Sequence, residues 1–339
     1  MNKKLLILVM LIMIFVPATL AQDKAGTAGM PFLKMDVSAR AFGMGGALLG
    51  LSNDASTLYY NPAGLINLKS MEFIASHNMY LADIQYSYSG VTYPMPQLNA
   101  AMGLQMGFLT TGDMDETTVT FPDGTGRTFG AYDFMVGATY AQMLTPKFFV
   151  GGTLKLLSEG LADEKVYTMA GDVGTYYNTG WQSLIFGMSI RNFGGNYTYF
   201  NEDTPLPMLF IFGLRYAPMD DGVNKLEILL DAAHPSDNSE YMILGMEYSY
   251  NNMFFVRFGR KFDNDEYWIV KDDGVEFPDN ADADNDPELN YSDSGINWMG
   301  TSLGLGFNME SMGMKIDYGW KHMGYLGMTH MITLSYMLK

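Results

Sequence analysis

Apolar residues recur at every second position through most of this chain of 339 residues, from about Met71 to the end. Between residues 314 and 321, for example, Met, Ile, Tyr and Trp alternate with Lys, Asp, Gly and Lys. A period of two places alternate side chains on opposite faces of a sheet, whereas a helix repeats about every 3.6 residues. The alternation therefore predicts an all-β protein.

About fourteen segments show this alternation. Most are about 9 to 12 residues long, which is the length that a tilted strand needs to cross a lipid bilayer. The predicted strands span residues 70–78, 84–93, 98–109, 130–142, 147–158, 166–177, 182–193, 208–217, 223–233, 239–250, 253–262, 299–309, 313–321 and 328–338.

The two faces of these segments differ in charge. This pattern fits a soluble β-sandwich that buries its apolar face, and it equally fits a membrane barrel that turns its apolar face to lipid. Alternation by itself leaves both architectures open. The charged face contains Glu72, Lys155, Asp172, Arg191, Arg215, Glu227, Asp231, Glu247, Arg257, Lys261, Lys315 and Asp317. The apolar face, which would contact lipid in a barrel, includes Phe254, Val256, Phe258, Leu303, Leu305, Phe307, Ile316 and Tyr318.

The lengths of the connections decide between the two architectures. Links after even-numbered strands are short, such as residues 94–97, whereas the long links at 110–129, 194–207 and 263–298 all follow odd-numbered strands. Outer-membrane barrels have short periplasmic turns and longer external loops, and a sandwich has no reason to sort its loops in this way. The sequence therefore predicts a transmembrane β-barrel of about fourteen antiparallel strands over residues 68–339.

Residues 1–21 have the features of a secretory signal peptide. Lys3 and Lys4 precede an apolar run from Leu5 to Val16, and small residues lead to a plausible cleavage point after Ala21. A run of about 12 residues is too short to cross a bilayer as a helix. We therefore expect export through the general secretory pathway to the cell outer membrane.

Composition and motifs argue against several classes of function. The chain contains no cysteine, so it has no disulfide framework and no cysteine-based nucleophile. A formal net charge of −17 is unsuited to binding nucleic-acid phosphates. The four histidines show no zinc spacing, and the sequence around Ser189 lacks the second glycine of a nucleophile elbow. An outer-membrane phospholipase would need a Ser–His pair facing lipid, which no motif supports. We predict no enzyme activity, no cofactor and no metal site.

The long link at residues 263–298 is strongly acidic. From residue 263 to residue 297 it holds twelve Asp or Glu residues and a single Lys. Unpaired carboxylates resist desolvation, so we expect an external loop. Asp282, Asp284 and Asp286 alternate like the ligands of a calcium loop, but Pro287 stands where the turn glycine belongs, and the sequence leaves calcium binding open.

Residues 22–67 do not alternate, and they contain a glycine-rich run followed by a compact motif. A residue before proline favours an extended backbone, proline fixes φ, and glycine permits close approach of another chain segment. We expect this segment to be a plug that packs against the inner wall of the barrel and controls access to the lumen. The alternative is a purely structural plug that binds no ligand. The plug motif comprises Gly43, Gly45, Gly46, Asn61, Pro62, Ala63, Gly64 and Leu65.

This N-terminal segment resembles the plug of the FadL-like outer-membrane barrels, in which an Asn-Pro-Ala-Gly-Leu stretch lies within the barrel. Over nearly its whole length the chain more closely resembles the PorV/PorQ family of that group. The resemblance includes Asp172-Val173-Gly174, residues 251–257, and the stretch from Asp317 to His330.

The resemblance implies two functions. Similarity to PorV and PorQ implies a protein-interaction component linked to type IX secretion, which would contact secreted cargo proteins or subunits of the secretion machinery at the cell surface. Similarity to FadL implies a channel for uptake of hydrophobic small molecules. A purely structural barrel is the third hypothesis. Paired charges such as Lys315 and Asp317 suggest a filled interior rather than an apolar conduit, which slightly favours the interaction role.

Overall fold

The computed structural model describes residues 26–199, 202–263 and 300–338. The predicted signal peptide (residues 1–21) and nearly all of the acidic segment, with Asp282, Asp284 and Asp286, lie outside the described residues. The described chain forms one closed barrel of fourteen antiparallel strands, which confirms the predicted fold class. Each predicted strand overlaps one barrel strand.

Eighteen strands are present in the described residues, and four of them form two small hairpins beside the barrel. In chain order the strands are β1 (Glu72–Met79), β2 (Gln85–Met95), β3 (Ala100–Thr110), β4 (Met114–Asp115), β5 (Thr128–Phe129), β6 (Ala131–Thr145), β7 (Phe148–Leu161), β8 (Glu164–Asn178), β9 (Ile185–Phe193), β10 (Tyr197–Tyr199), β11 (Glu202–Thr204), β12 (Leu209–Asp220), β13 (Asn224–Pro235), β14 (Tyr241–Tyr250), β15 (Phe254–Asp263), β16 (Thr301–Met309), β17 (Met314–His322) and β18 (Met328–Met337).

Neighbouring barrel strands follow one another along the chain, with the β4–β5 and β10–β11 hairpins inserted between them. The barrel closes where β1 pairs with β18, so that Glu72 lies opposite Met337 and Met79 opposite His330. Short turns join the strands at the end of the barrel where β1 begins, which we call the short-turn end. Both hairpins lie at the opposite end, the long-loop end. This arrangement agrees with the sorting of loop lengths in the sequence.

The two faces of the strands separate charge from apolar surface. All eight residues that the alternation assigns to the lipid face point outward, with 37% to 59% of each side chain exposed (Phe307 and Leu305 being the extremes). Charged residues point inward, and Lys155, Asp172 and Arg257 are each only 1% exposed. Burial of charge inside and apolar surface outside is the arrangement of a membrane barrel, not of a soluble sandwich.

Aromatic residues bound the apolar outer surface at both ends of the barrel. Tyr167 and Tyr177 lie outward on β8, and the segment between them, at about 3.3 Å per residue and a tilt of about 40°, corresponds to a belt about 25 Å tall. None of the helices in the described residues is long and apolar enough to cross a membrane. Other exposed aromatic residues of the two girdles are Phe108, Phe193 and Phe262 at the long-loop end and Tyr93, Tyr140 and Tyr250 at the short-turn end.

The chain from residue 26 to residue 68, which we call the plug, fills the lumen. It begins at the long-loop end, where the Gly29 amide donates to the Pro205 carbonyl (3.1 Å), and it enters β1 at the short-turn end. Most of its side chains are buried. Its helical turns are Pro31–Lys34, Ala39–Phe42, Thr57–Tyr60 and Pro62–Asn67.

Candidate functional site

Inward-facing glycines of the wall receive the plug along one side of the lumen. A Cβ added to Gly259 would lie 2.1 Å from the carbonyl carbon of Met44, and one added to Gly43 of the plug would lie 2.7 Å from Cα of Gly304. Such distances are too short for any side chain, so the plug lies directly on the wall here. This glycine side comprises Gly151, Gly174, Gly187, Gly213, Gly245, Gly259, Gly304 and Gly319, on β7, β8, β9, β12 and β14 to β17.

The glycines of the predicted motif have different roles. Gly43 and Gly45 contact the wall, at Gly304 and Ile243 respectively. Gly46 has a φ of +101°, and its nearest neighbour would be Asp36 of the plug itself. Gly64 also packs within the plug, because a Cβ there would lie 2.2 Å from the Ser52 side chain. Wall packing, which the sequence predicted for all three residues of the glycine run, is therefore the main contact of two of them.

Asn61 joins two parts of the plug to the barrel. Its Nδ2 donates to the Leu49 carbonyl (3.1 Å) and to the Thr175 carbonyl of β8 (3.0 Å), while its Oδ1 accepts from the Ala63 amide (3.2 Å). The extended backbone that Pro62 favours at Asn61 (φ −154°) places the amide for these bonds. Leu65 is buried at the short-turn end, in a cluster with Leu58, Leu68, Ala101 and Ala141.

A buried ionic cluster ties the plug to the wall near Arg40. Arg40 donates from Nε and Nη2 to the two carboxylate oxygens of Glu247 (2.8 and 2.5 Å) and from Nη1 to Asp54 (2.6 Å). Arg257 donates to Glu247 (2.6 Å) and to Asp317 (2.7 Å). With Lys315, which lies 3.4 Å from Asp317, the ionic cluster balances three cations with three carboxylates. Bidentate arginine–carboxylate geometry fixes the position of the plug helix Ala39–Phe42 against β14.

Further polar contacts hold the plug at other depths. Asp231 of β13 accepts hydrogen bonds from the backbone amides of Leu48 and Leu49 (3.1 and 3.2 Å). Lys321 of β17 forms an ion pair with Asp36 (2.8 Å). Because these contacts use strands on the glycine side, that side of the plug is fixed both by shape and by charge.

The other side of the plug meets the wall through apolar and aromatic side chains. This apolar column lies between the plug and strands β1, β2, β3, β6 and β7. At mid-depth it contains the polar side chain of Gln105, whose Nε2 donates to the Leu58 carbonyl (3.1 Å). The upper part of the column, on the side of the long-loop end, comprises Met30, Phe32, Leu33, Tyr59, Tyr60, Ile74, Tyr86, Tyr88, Leu109, Met135 and Leu157. The lower part, on the side of the short-turn end, comprises Leu58, Leu65, Leu68, Ala101 and Ala141.

An apolar groove of about 780 Å³ opens on the outer face of the same wall sector. Its floor contains the small residues Ala75, Ser89 and Gly90, and its sides include Leu104 and Leu334. Gly90 separates the groove from the plug, because a Cβ added to it would lie 2.8 Å from Cδ1 of Leu58. The wall is therefore thin here.

A Ser–His pair, which no sequence motif indicated, is present on the outward face. Nδ1 of His77 on β1 lies 3.0 Å from Oγ of Ser87 on β2, because the two residues are direct cross-strand neighbours. In the described residues no carboxylate bonds to His77, and the β1 and β2 backbones pair with their neighbouring strands, which leaves no pair of amides for an oxyanion. No group of three His, Asp or Glu side chains in the described residues is arranged to hold a metal ion.

Neither a family model nor a curated protein sequence matches the chain. Solved structures do. The Ralstonia pickettii toluene transporter TbuX is similar over 89% of this chain and 98% of its own, with a TM-score of 0.55 and 12% identity. The Pseudomonas putida toluene transporter TodX matches over 89% and 96% (TM-score 0.54, 8% identity), and a Pseudomonas aeruginosa FadL homologue over 89% and 98% (0.51, 11%).

The fold is that of the FadL-type outer-membrane barrels. Identity of 8% to 12% establishes this architecture and nothing finer. Two of these three neighbours are toluene transporters and the third is a FadL homologue, and none of the three is a PorV or PorQ protein. The likeness thus supports the FadL-like part of the sequence interpretation, while the secretion role that the PorV/PorQ resemblance implied has no support from it.

Proposed function

We propose that this protein is an outer-membrane channel for hydrophobic small molecules, in which the plug controls access. The observation that carries the proposal is the likeness to two toluene transporters over almost the full length of both chains. Fold likeness at such low identity is an analogy, so the proposal also needs support from the lumen itself.

The lumen supplies that support in the apolar column. A channel for hydrophobic molecules needs a lining with few polar groups, because each polar group keeps water that the solute must displace. The column provides such a lining on one side of the plug, and the outer groove lies one strand thickness away at Gly90. Most of the charged inward residues lie on the glycine side, as at Arg40, Glu247 and Arg257. At the edge of the column, Lys155 and Arg191 lie over the Tyr59 ring, 5.5 and 4.9 Å from its centroid.

The outer surface supports the location of the channel in the outer membrane. An apolar belt bounded by aromatic girdles fits a bilayer of the thickness that such barrels cross. In this proposal residues 1–21 direct export through the general secretory pathway, the short-turn end faces the periplasm, and the long-loop end faces outside.

A protein-interaction role in type IX secretion is a second candidate. The packed lumen favours it, as do Val119 and Phe121, which are exposed in the β4–β5 connection at the long-loop end. Exposed apolar residues on a loop are typical of a surface that binds another protein. The fold likeness favours the channel, which is therefore the function we propose first.

Uptake measurements test the channel directly. Cells that express the full chain should accumulate radiolabelled toluene faster than cells that express a control lacking residues 2–21. Without the export signal the control remains in the cytoplasm and does not reach the outer membrane. Equal uptake by both strains, with the full chain shown to be heat-modifiable in the outer-membrane fraction, would contradict the channel. Co-purification of secretion subunits with a chain that transports nothing would favour the second candidate.

A further inference from the structure

The two sides of the plug are held in physically different ways. On the glycine side the plug lies against glycines of the wall, with Asp231 and Glu247 accepting hydrogen bonds from it. In the apolar column most contacts are between side chains, with two polar exceptions at the plug backbone: Gln105 donates to the Leu58 carbonyl (3.1 Å), and Glu159 of β7 accepts from the Met30 amide (3.1 Å). Contacts between side chains repack at much lower cost than a displaced backbone. A solute that enters the lumen therefore meets less resistance in the column than on the glycine side.

Four buried tyrosines fill the upper part of the column, and three of them are tethered. The Tyr59 hydroxyl donates to the Leu33 carbonyl (2.6 Å), the Tyr60 hydroxyl to Asp36 (2.9 Å), and the Tyr88 hydroxyl to Gln105 (3.0 Å). Rotation of any of these rings would break a buried hydrogen bond, which costs about 1 to 3 kcal/mol.

Tyr86 differs from the other three, because its hydroxyl has no hydrogen-bond partner among the described residues although its side chain is only 1% exposed. The residue stands at the long-loop end of β2, opposite Leu109 of β3. Its ring extends over Gly107, where an added Cβ would lie 2.7 Å from the Tyr86 hydroxyl oxygen. Its ring and the Phe32 ring of the plug form an edge-to-face pair, with 6.3 Å between the ring centroids.

We propose that Tyr86 is the gate of the apolar column, and that solute passes this ring while the plug stays fixed on the glycine side. The inference rests on the proposed channel function and assigns the size selection to one residue. Moving the Tyr86 ring breaks no hydrogen bond with the part of the chain that the structure describes, whereas moving Tyr59, Tyr60 or Tyr88 does. Gly107 leaves the space that the ring fills, so a displaced ring opens a passage toward Met135 and Leu157, on the next strands at that depth.

A size series of solutes tests the gate. Tyr86→Ala should raise the uptake of naphthalene relative to toluene several-fold, because it removes the ring from the passage. Tyr86→Phe keeps the ring and should restore the wild-type ratio. Tyr176→Ala is the matched control: Tyr176 is also a buried, inward tyrosine, but it stacks on Phe149 at the short-turn end, away from the proposed passage.

A cross-link tests whether the plug stays in place. The chain has no cysteine, so the double variant Ala47→Cys with Gly245→Cys contains one pair only. A Cβ on Gly245 would lie 2.9 Å from Cβ of Ala47. A disulfide needs about 3.5 to 4.5 Å between the two Cβ atoms, so moving the plug and the wall apart by less than about 1 Å is enough. The oxidised and reduced forms should take up toluene at equal rates if the plug stays on the glycine side.

The outcomes separate the gate from the channel. Loss of toluene uptake on oxidation, regained on reduction, would overturn the fixed plug. A folded Tyr86→Ala variant with the wild-type naphthalene-to-toluene ratio would overturn the gate, although the channel would stand. If the wild-type chain takes up neither solute, the channel itself is wrong. Heat-modifiability of each variant reports folding, and should Tyr86→Ala not assemble, Tyr86→Leu replaces it as the ring-deleting variant.

Discussion

At the scale of single residues, close contacts and charges fix the plug in the lumen. Arg40 reaches both the wall, at Glu247, and the plug itself, at Asp54. Gly259 lets the chain at Met44 lie on β15. The alternating pattern of the sequence assigns Glu247 and Gly259 to the inner face, but it contains no information on which residues of the plug they meet.

Replacement of Arg40 by Met should destabilise the plugged barrel. The change leaves Glu247 and Asp54 with one cation fewer in a buried site, and breaking a buried ion pair typically costs about 3 to 5 kcal/mol. We expect a lower urea midpoint for loss of the heat-modifiable form in detergent. Arg127→Met is the matched control, because Arg127 pairs with Glu116 at 3.7 Å on the surface, where such pairs contribute about 0 to 1 kcal/mol. Similar midpoints for both variants would contradict the ionic cluster as a tie.

Replacement of Gly259 by Ala should also destabilise the barrel, because the new methyl group overlaps the backbone of Met44. Overpacking of this kind costs about 1 to 3 kcal/mol. Gly195→Ala serves as the control, since a Cβ there has no neighbour within 4 Å in residues 26–199, 202–263 and 300–338, and its φ is not in the left-handed region. An unchanged urea midpoint for Gly259→Ala would show that the plug is not pressed against this strand.

At the scale of the strand, the period-two pattern determines which face meets lipid. β15 is typical, since Phe254, Val256 and Phe258 are exposed while Arg257 between them is buried in the ionic cluster. A shift of register by one residue would place Arg257 in lipid and the phenylalanines in the lumen, which is why the register is strongly determined.

Val256→Arg should therefore impair assembly. Val256 is 55% exposed on the apolar belt, two residues from the short-turn end of β15, so an arginine there should cost less than the about 2 to 4 kcal/mol that it costs at the bilayer midplane. Val119→Arg offers the same chemical change at an exposed position in the β4–β5 connection, outside the belt, and should have little effect. The comparison is the fraction of heat-modifiable protein in lipid vesicles; equal fractions for both variants would place Val256 outside the bilayer.

At the scale of the whole molecule, the plug runs through the barrel from one end to the other. Thr27 is exposed at the long-loop end, near Gly29 and its bond to Pro205, and Lys69 is exposed at the short-turn end just before β1. The amino-terminal end of the plug therefore lies at the end of the barrel that carries the hairpins, which faces the cell exterior in the proposed topology.

Single cysteines test this path in a chain that has no cysteine of its own. Thr27→Cys should react with a membrane-impermeant maleimide in intact cells, while Lys69→Cys should react only after the outer membrane is permeabilised. The opposite result would reverse the proposed topology, and labelling of both in intact cells would show that the lumen is open to the reagent.

The sequence by itself determined the barrel. Period two, strand length and the sorting of loops are local properties, and they were sufficient for about fourteen strands and the two faces. The plug before β1 was expected because residues 22–67 do not alternate, contain the glycine-rich motif and resemble the plug of the FadL-like barrels. The plug motif was also visible, since the residues of Asn61-Pro62 impose their own backbone geometry. The Lys315–Asp317 contact agrees with the paired charges that the sequence suggested.

Only the tertiary structure decided what the plug touches. The wall glycines lie on eight strands far apart in the chain, and the partners of Arg40 and the tether of each tyrosine depend on how the plug is threaded through the closed barrel. No local pattern records such contacts, because each residue's own face is set by its strand while its opposite neighbour is set by a segment up to about 300 residues away, as for Ala39 and Thr333. For the same reason the distinction between the fixed glycine side and the apolar column appears only in the folded molecule.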